Sequence, residues 1–162
     1  MPKIVYFDFQ GRAQAMRYTL AAAGVEFEDV RLTFEQWGAD KANKTYGDGV
    51  QLPVYIDDDG KIFSQSLATM KYLASKHGFA PTNDDALFES EWMIDTFEDC
   101  GKHPKFYPVL FGENPSEEDQ KEIIEHNKIF MAKCEAKLSD GRKFCAGDNP
   151  TASDFRLLSI VT

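Results

Sequence analysis

An α/β domain followed by an all-α domain is the architecture this sequence predicts. Three observations carry it. Between residues 3 and 78, short β-branched and aromatic runs alternate with segments of helical period, whereas after residue 84 only the helical period remains. The stretch Gly78-Phe79-Ala80-Pro81-Thr82-Asn83-Asp84 is a Gly/Pro/Asn cluster of the kind that joins domains. Charge changes across it: residues 1–80 carry nine Lys/Arg against ten Asp/Glu, and residues 81–162 carry nine against seventeen. The expected division is therefore a first domain at 1–78, a linker at 79–84, and a helical domain at 85–162.

Lys3-Ile4-Val5-Tyr6-Phe7-Asp8 is β-branched and aromatic, hence a strand. After Phe9-Gln10-Gly11 the period changes: Ala13, Met16, Leu20 and Ala23 recur at spacings of three and four, and Gly24 stops the helix. Phe27 to Leu32 reads as a second strand, which makes a parallel crossover with the first. Thr33 to Val50 has no clean period and is expected to be irregular. Leu52-Pro53-Val54-Tyr55-Ile56 is a third strand, Asp57-Asp58-Asp59-Gly60 a hairpin turn, and Lys61-Ile62-Phe63 the returning strand. Ser64-Gln65-Ser66 opens a helix that carries Leu67, Met70, Tyr72, Leu73 and Ala74 and ends at Gly78.

In the second half, Asp84 to Gly101 reads as a helix with Leu87, Ile94 and Phe97 on one stripe and Phe88 and Trp92 beside it. Ser116, three before Asp119, marks a capping box for a helix running towards Leu138 through Ile123, Phe130 and Cys134. Met131 and Cys134 are expected in the core. Gly147-Asp148-Asn149-Pro150-Thr151-Ala152-Ser153-Asp154-Phe155 contains a second box, Thr151 with Asp154.

Composition excludes several function classes. A formal charge of -9 argues against nucleic acid and anionic membranes, which need a basic face. No apolar run is long enough to span a bilayer. Cys100, Cys134 and Cys145 are odd in number and irregularly spaced, so neither a disulfide framework nor a zinc site is expected. His77, His103 and His126 lack metal spacing, and no metal is expected. Met1-Pro2-Lys3 leads straight into the first strand without a signal-peptide pattern, so a cytoplasmic location is expected.

The order β-α-β-loop-β-β-α is that of a thioredoxin-like domain. Thioredoxins keep Cys-x-x-Cys at the first strand–helix junction, where a helix N-terminus lowers a thiol's pKa. Here the junction reads Phe9-Gln10-Gly11-Arg12, which leaves dithiol chemistry without its residues. Tyr6 on the strand end and Arg12 on the first turn remain. Tyr6 alone could be a half-buried sheet residue, and Ser66 alone a plain N-cap; equally, Gln65-Ser66 at a helix start could hold a carboxylate. Pro53 suits a strand start, and a cis bond there would open the backbone of Leu52 to an extended ligand.

Tyr6-Phe7, Gly11-Arg12-Ala13 with Arg17-Tyr18, Trp37 with Lys41, Gln51-Leu52-Pro53-Val54, and Gln65-Ser66-Leu67-Ala68 with Tyr72-Leu73-Ala74 together resemble a cytosolic glutathione transferase. The sigma class, which includes the prostaglandin D synthases, is the nearest pattern. The resemblance implies a thioredoxin-like glutathione-binding domain and an all-helical domain that is incomplete at Thr162. It implies that Tyr6 is catalytic and hydrogen-bonds the glutathione sulfur, and that Arg12, Trp37 and Lys41 line the carboxylate end of the peptide. Lys44 is an alternative to Lys41, because the stretch before Gln51 is longer than usual. Gln51 and Leu52, ahead of a cis Pro53, pair with the cysteinyl segment, and Gln65 and Ser66 hold the γ-glutamyl carboxylate.

Asp95, Glu98 and Asp99 share one helix face, where like charges repel by a few tenths of a kcal/mol per pair. A solvated acidic face is one reading. The resemblance implies another, that Asp99 reaches the glutathione amino group of a partner subunit; in prostaglandin D synthase, residues like all three hold a divalent ion. The implied activity is conjugation of the glutathione thiolate to small hydrophobic electrophiles by a homodimer, with glutathione as cosubstrate. A glutathione-dependent isomerase of the prostaglandin D synthase type, or a non-catalytic crystallin-like or ligand-binding relative, are the alternatives.

Overall fold

A computed structural model describes residues 1–112 and 114–161; the last residue of the expected helical domain, Thr162, lies outside the described residues. The chain divides into two compact units, Met1–Ala80 joined by the last residues from Leu158, and Pro81–Leu157.

Four strands form the sheet of the first unit: β1 (Lys3–Phe7), β2 (Glu28–Leu32), β3 (Val54–Ile56) and β4 (Ile62–Phe63), in the spatial order β2-β1-β3-β4. β1 and β2 are parallel, with Lys3 opposite Glu28 and Phe7 opposite Leu32. β3 runs antiparallel to β1, Val5 facing Val54, and β4 antiparallel to β3. A central strand is covered on both faces, so β1 buries Ile4, Val5 and Tyr6 in succession instead of alternating. α1 (Gln14–Ala22) buries Ala15, Met16 and Leu20, α3 (Ser66–Lys76) buries Met70, Leu73 and Ala74, and the two helices pack against each other. Each large apolar side chain so buried contributes about 1.5–3 kcal/mol relative to exposure. The hairpin turn closes as expected, with the Gly60 N–H donating to the Asp57 carbonyl at 2.9 Å. This is a thioredoxin-like arrangement.

One helix of the first unit is not predicted by the sequence. α2 (Phe34–Ala42) occupies the stretch read as irregular. The Gln36 N–H donates to the Thr33 hydroxyl at 3.1 Å, and the Thr33 N–H donates to Gln36 Oε1 at 2.7 Å, a reciprocal capping box. No residue of α2 is buried, so the helix carries no hydrophobic period by which it could be recognised.

The second unit is helical: α4 (Asp84–Cys100), α5 (Phe106–Phe111), α6 (Glu117–Leu138) and the first part of α7 (Ala152–Val161). Met93 and Phe97 of α4 meet Cys134 of α6 and Cys145 in its core, with Trp92, Leu138 and Leu157 packed against them. Leu87 and Phe88, expected on or beside the apolar stripe, are 47% and 63% exposed. The buried positions in the first turns of α4 are instead the small Ala86 and Ser90, so burial there does not follow hydrophobicity. α5 was not anticipated, because six residues are too few to display a period. The Asp119 N–H donates to the Ser116 hydroxyl at 3.1 Å, capping α6.

At Thr151 the box is only half as expected. Asp154 Oδ2 accepts from the Thr151 N–H at 2.8 Å, but the Thr151 hydroxyl donates to the same carboxylate at 3.2 Å instead of capping the Asp154 N–H. The other oxygen, Oδ1, accepts from the Cys145 N–H at 2.7 Å, so Asp154 ties two backbone segments together.

Candidate functional site

Chain direction decides where the site lies. β1 and β2 run parallel, β3 runs back, and β4 returns, so the end of β1, the end of β2, the start of β3 and the end of β4 share one edge of the sheet. Tyr6 with the turn after it, α2, Gln51-Leu52-Pro53 and Gln65-Ser66 all stand at or next to those four strand ends. Sheet edges at the carboxyl ends of strands, beside a reversal of direction, are where open α/β sheets bind ligands.

Tyr6 is 6% exposed, its ring edge-on to Phe7 and Phe9 at centroid distances of 5.4 and 5.3 Å. Its hydroxyl accepts from the Arg12 N–H at 3.3 Å. That contact depends on Gly11, which turns the chain at φ +42° into a 3₁₀ turn over the tyrosine. With one lone pair of the hydroxyl so engaged, its own O–H is left to donate elsewhere. In the sequence, Gly11 stands out only as part of a motif; a glycine directly between a strand and a helix is the signal of a close backbone approach.

The Leu52–Pro53 bond is cis, as the resemblance implies, and Leu52 lies just outside the ladder. Pro53 is buried, Leu52 half-buried and Gln51 exposed. At the opposite side of the same edge, Gln65 adopts φ +73° and ψ +97°, an uncommon conformation for a residue with a side chain. Gln65, and not Ser66, holds the cap position of α3, and it makes no side-chain capping bond. Ser66 is thus the first residue of the helix, and the plain N-cap reading of it does not hold. The N–H groups of the first helical turn, together with the Ser66 hydroxyl, form an arrangement suited to an anion.

α2 carries Trp37, half-buried, and Lys41, exposed in its last turn. The Trp37 ring stacks on Tyr46 at 6.4 Å. Asp40 gathers the following loop, accepting from the Thr45 hydroxyl at 3.0 Å and the Tyr46 hydroxyl at 3.4 Å. Burial and then the adjacent Asp40 push the Tyr46 pKa up. Lys44 Nζ is paired with Asp48 at 3.0 Å.

Asp99 stands in the second unit, in the last turn of α4. Its Oδ1 pairs with Lys102 Nζ at 2.5 Å, and its carbonyl meets His126 Nε2 at 3.4 Å. Glu98 is bound by Arg156 at 2.7 Å, while Asp95 is exposed. The acidic face is therefore not uniformly solvated. The imidazoles of His103 and His126, distant in sequence, lie 4.8 Å apart, and His103 Nε2 is 3.2 Å from Glu122. Cys100, Cys134 and Cys145 are free and buried. Burial, and then Asp154, push the Cys145 thiol up to about 12, which keeps it protonated and unreactive.

The first unit is thioredoxin-like, with Tyr6 near the end of β1 and no cysteine at the strand–helix junction that follows, and a helical unit comes after it. Residues 2–75 match the family model described as the N-terminal domain of glutathione S-transferase. The chain is 31% identical to a class-mu 28 kDa glutathione S-transferase isozyme of Schistosoma mansoni over 98% of this chain and 76% of that protein. It is also 31% identical to a hematopoietic prostaglandin D synthase of Gallus gallus, covering 94% of this chain and 74% of the relative. Among solved structures, a monomeric glutathione S-transferase of Necator americanus, Na-GST-3, superimposes with a TM-score of 0.83 at 28% identity, over 98% of this chain and 78% of that one. The chain belongs to the glutathione S-transferase family.

Proposed function

We propose that this protein is a glutathione transferase in which residues 1–78 bind glutathione and Tyr6 activates its sulfur. The observation that carries the reading is the Tyr6 hydroxyl: buried at the site edge of β1, accepting from the Arg12 N–H, with its proton free for a thiolate. A free thiol titrates near about 8.5, and a donor aimed at the sulfur favours the ionised form. The thiolate then attacks the electrophilic carbon, a thioether bond forms, and the leaving group departs with its electron pair.

The peptide has two carboxylates and an overall acidic protein needs local positive charge to hold them. The unbonded first turn of α3 with Gln65 and Ser66 suits the γ-glutamyl carboxylate, and Arg12, Trp37 and Lys41 the glycyl end. Lys44, engaged by Asp48, is the weaker candidate beside Lys41. Gln51 and the backbone of Leu52 beside Pro53 suit an extended cysteinyl segment.

A finer placement beside the sigma class, with isomerisation of a lipid peroxide as the alternative chemistry, has the similarity to the avian prostaglandin D synthase in its support. The class-mu designation of the schistosome relative spreads the likeness across the family. A homodimer with Asp99 facing a partner's glutathione is proposed against the example of a relative described as monomeric; sedimentation with and without glutathione decides it, and a monomer with full affinity ends that role for Asp99. No helix among the described residues is long and apolar enough to cross a membrane, and we place the enzyme in the cytoplasm.

Incubation of the protein with glutathione and 1-chloro-2,4-dinitrobenzene tests the main reading. Saturable, glutathione-dependent thioether formation is expected. Glutathione binding without turnover would instead favour a ligand-binding relative.

A further inference from the structure

Arg17 is the one buried charged side chain among the described residues, at 6% exposure. A guanidinium so placed must find partners for its donors, because burying an unpaired charge is strongly unfavourable. Its Nε donates to Asp29 Oδ1 at 3.0 Å, which anchors it to β2. Its Nη1 points the other way, donating to the carbonyls of Phe9 at 3.3 Å and Gln10 at 3.1 Å and to Gln14 Oε1 at 3.1 Å. Phe9 and Gln10 are the two residues before Gly11. They set the start of the turn that brings the Arg12 N–H onto the Tyr6 hydroxyl. The guanidinium carbon also lies 6.0 Å from the centre of the Tyr6 ring, within cation–π range. Nη2 is buried without a partner, so the arrangement leaves a donor unsatisfied while satisfying the loop.

We propose that Arg17 is a positioning residue for the Tyr6 hydroxyl, through the turn that it holds. One end of its planar fork is fixed on Asp29 and the other gathers the backbone on which the Arg12 N–H is carried. The N–H occupies the acceptor side of the hydroxyl, and the O–H is thereby aimed at sulfur. A lysine keeps the charge but lacks the fork, so it cannot bond Asp29 and both carbonyls together. The proposal rests on the reading of Tyr6 as the donor to the thiolate.

The test compares wild type, Arg17→Lys, Gln14→Met, Tyr6→Phe and Tyr6→Phe/Arg17→Lys, with glutathione and 1-chloro-2,4-dinitrobenzene as substrates and circular dichroism as the check on folding. Arg17→Lys is expected to lower kcat by about tenfold, the scale of one weakened bond to a charged group. The KM for glutathione should stay within about twofold, since no binding contact is lost. The rate–pH profile should move to the alkaline side, which a purely structural loss would not produce. Gln14→Met removes one acceptor from Nη1 and should move the same profile by a smaller amount with stability held. With Phe at position 6, Arg17→Lys should have no further effect.

Wild-type kcat and pH profile in both single variants overturn the proposal, as does an undiminished effect of Arg17→Lys in the Tyr6→Phe background. If Arg17→Lys does not fold, Gln14→Met decides alone: an alkaline shift supports the role and a wild-type profile overturns it. Wild-type turnover in Tyr6→Phe by itself removes Tyr6 from the chemistry and this role of Arg17 with it, a result distinct from non-coupling.

Discussion

A Cβ placed on Gly11 would lie 2.8 Å from the Tyr6 hydroxyl oxygen, as close as a hydrogen-bonded partner and far too close for carbon. The same Cβ would meet Tyr6 Cε1 and Phe9 Cε2 at 2.8 Å. The absence of a side chain at position 11 is therefore part of the geometry that presents the hydroxyl, since the chain must pass directly over the ring to deliver the Arg12 N–H.

Gly11→Ala combines a steric clash with a positive φ of +42°, where an L-residue is disfavoured. We expect a loss of stability of about 1–3 kcal/mol from the backbone conformation alone, together with displacement of Tyr6 and a fall in kcat. Denaturant titration and steady-state kinetics on the same preparation check it. A variant as stable and as active as wild type would mean that the turn relaxes without moving the tyrosine.

Tyr6→Phe deletes only the hydroxyl. Glutathione affinity should be nearly preserved while the bound thiol becomes less acidic. A hydrogen bond to a charged group is worth roughly 1.5–3 kcal/mol, which corresponds to a rise of about one to two in the thiol's pKa. Ultraviolet titration of the bound thiolate measures this directly. An unchanged titration removes Tyr6 from sulfur activation.

Ser66→Ala separates an anion site from a helix cap. Because Ser66 is not the cap of α3, thermal stability should change little. Glutathione binding should weaken by about 1–3 kcal/mol through an under-satisfied carboxylate, with the thiol pKa held. Titration calorimetry and a melting curve give both quantities; a lower Tm with intact binding would return Ser66 to a structural role.

Glu89 joins α4 to the end of α6 and the loop beyond, pairing with Lys137 at 2.8 Å and Arg142 at 3.0 Å. Burial alone would raise its pKa, but hydrogen bonds from both cations outweigh that and hold it below the usual value. A carboxyl depressed on folding stabilises the native state above its unfolded pKa, and that contribution disappears as pH falls through the folded value. Glu89→Gln should thus cost about 1–3 kcal/mol at pH 7, and the difference should shrink towards zero in acid, once pH has fallen through the depressed folded value. Urea unfolding at pH 7 and in acid reads this out. A penalty that persists in acid would assign the loss to packing instead of charge.

Much of the fold was legible because its signals are local. Ile4-Val5-Tyr6, the helix of Ala13 to Ala23, the turn at Asp57 to Gly60 and the cap at Ser116 each announce themselves within a few residues, since propensity, period and capping act at that range. α2 and α5 were not legible. α2 buries nothing and is held by a capping box in which the side chain of Gln36 completes the bond pattern; α5 is too short to have a face. Leu87 and Phe88 are apolar yet exposed, because exposure depends on what covers a helix end and not on the residues in it.

The same division runs through the site. The sequence by itself determined that no dithiol occupies the first strand–helix junction, that a tyrosine, an arginine and a Gln-Ser pair stand at helix and strand ends, and that a proline opens the third strand. Those are matters of residue identity and spacing. Only the tertiary structure decided that Ser66 is not a cap, that Asp99 is already paired with Lys102 while Glu98 belongs to Arg156, and that Arg17 reaches past its own helix to Asp29 on one side and the Phe9 and Gln10 carbonyls on the other. The Glu98–Arg156 pair and the Arg17–Asp29 bond join separate elements that meet through strand direction and helix packing, whereas the Asp99–Lys102 pair and the cap at Gln65 are local geometries chosen among several that the same residues allow. A charged side chain takes whatever partners burial leaves within reach, and sequence spacing carries no record of which those are.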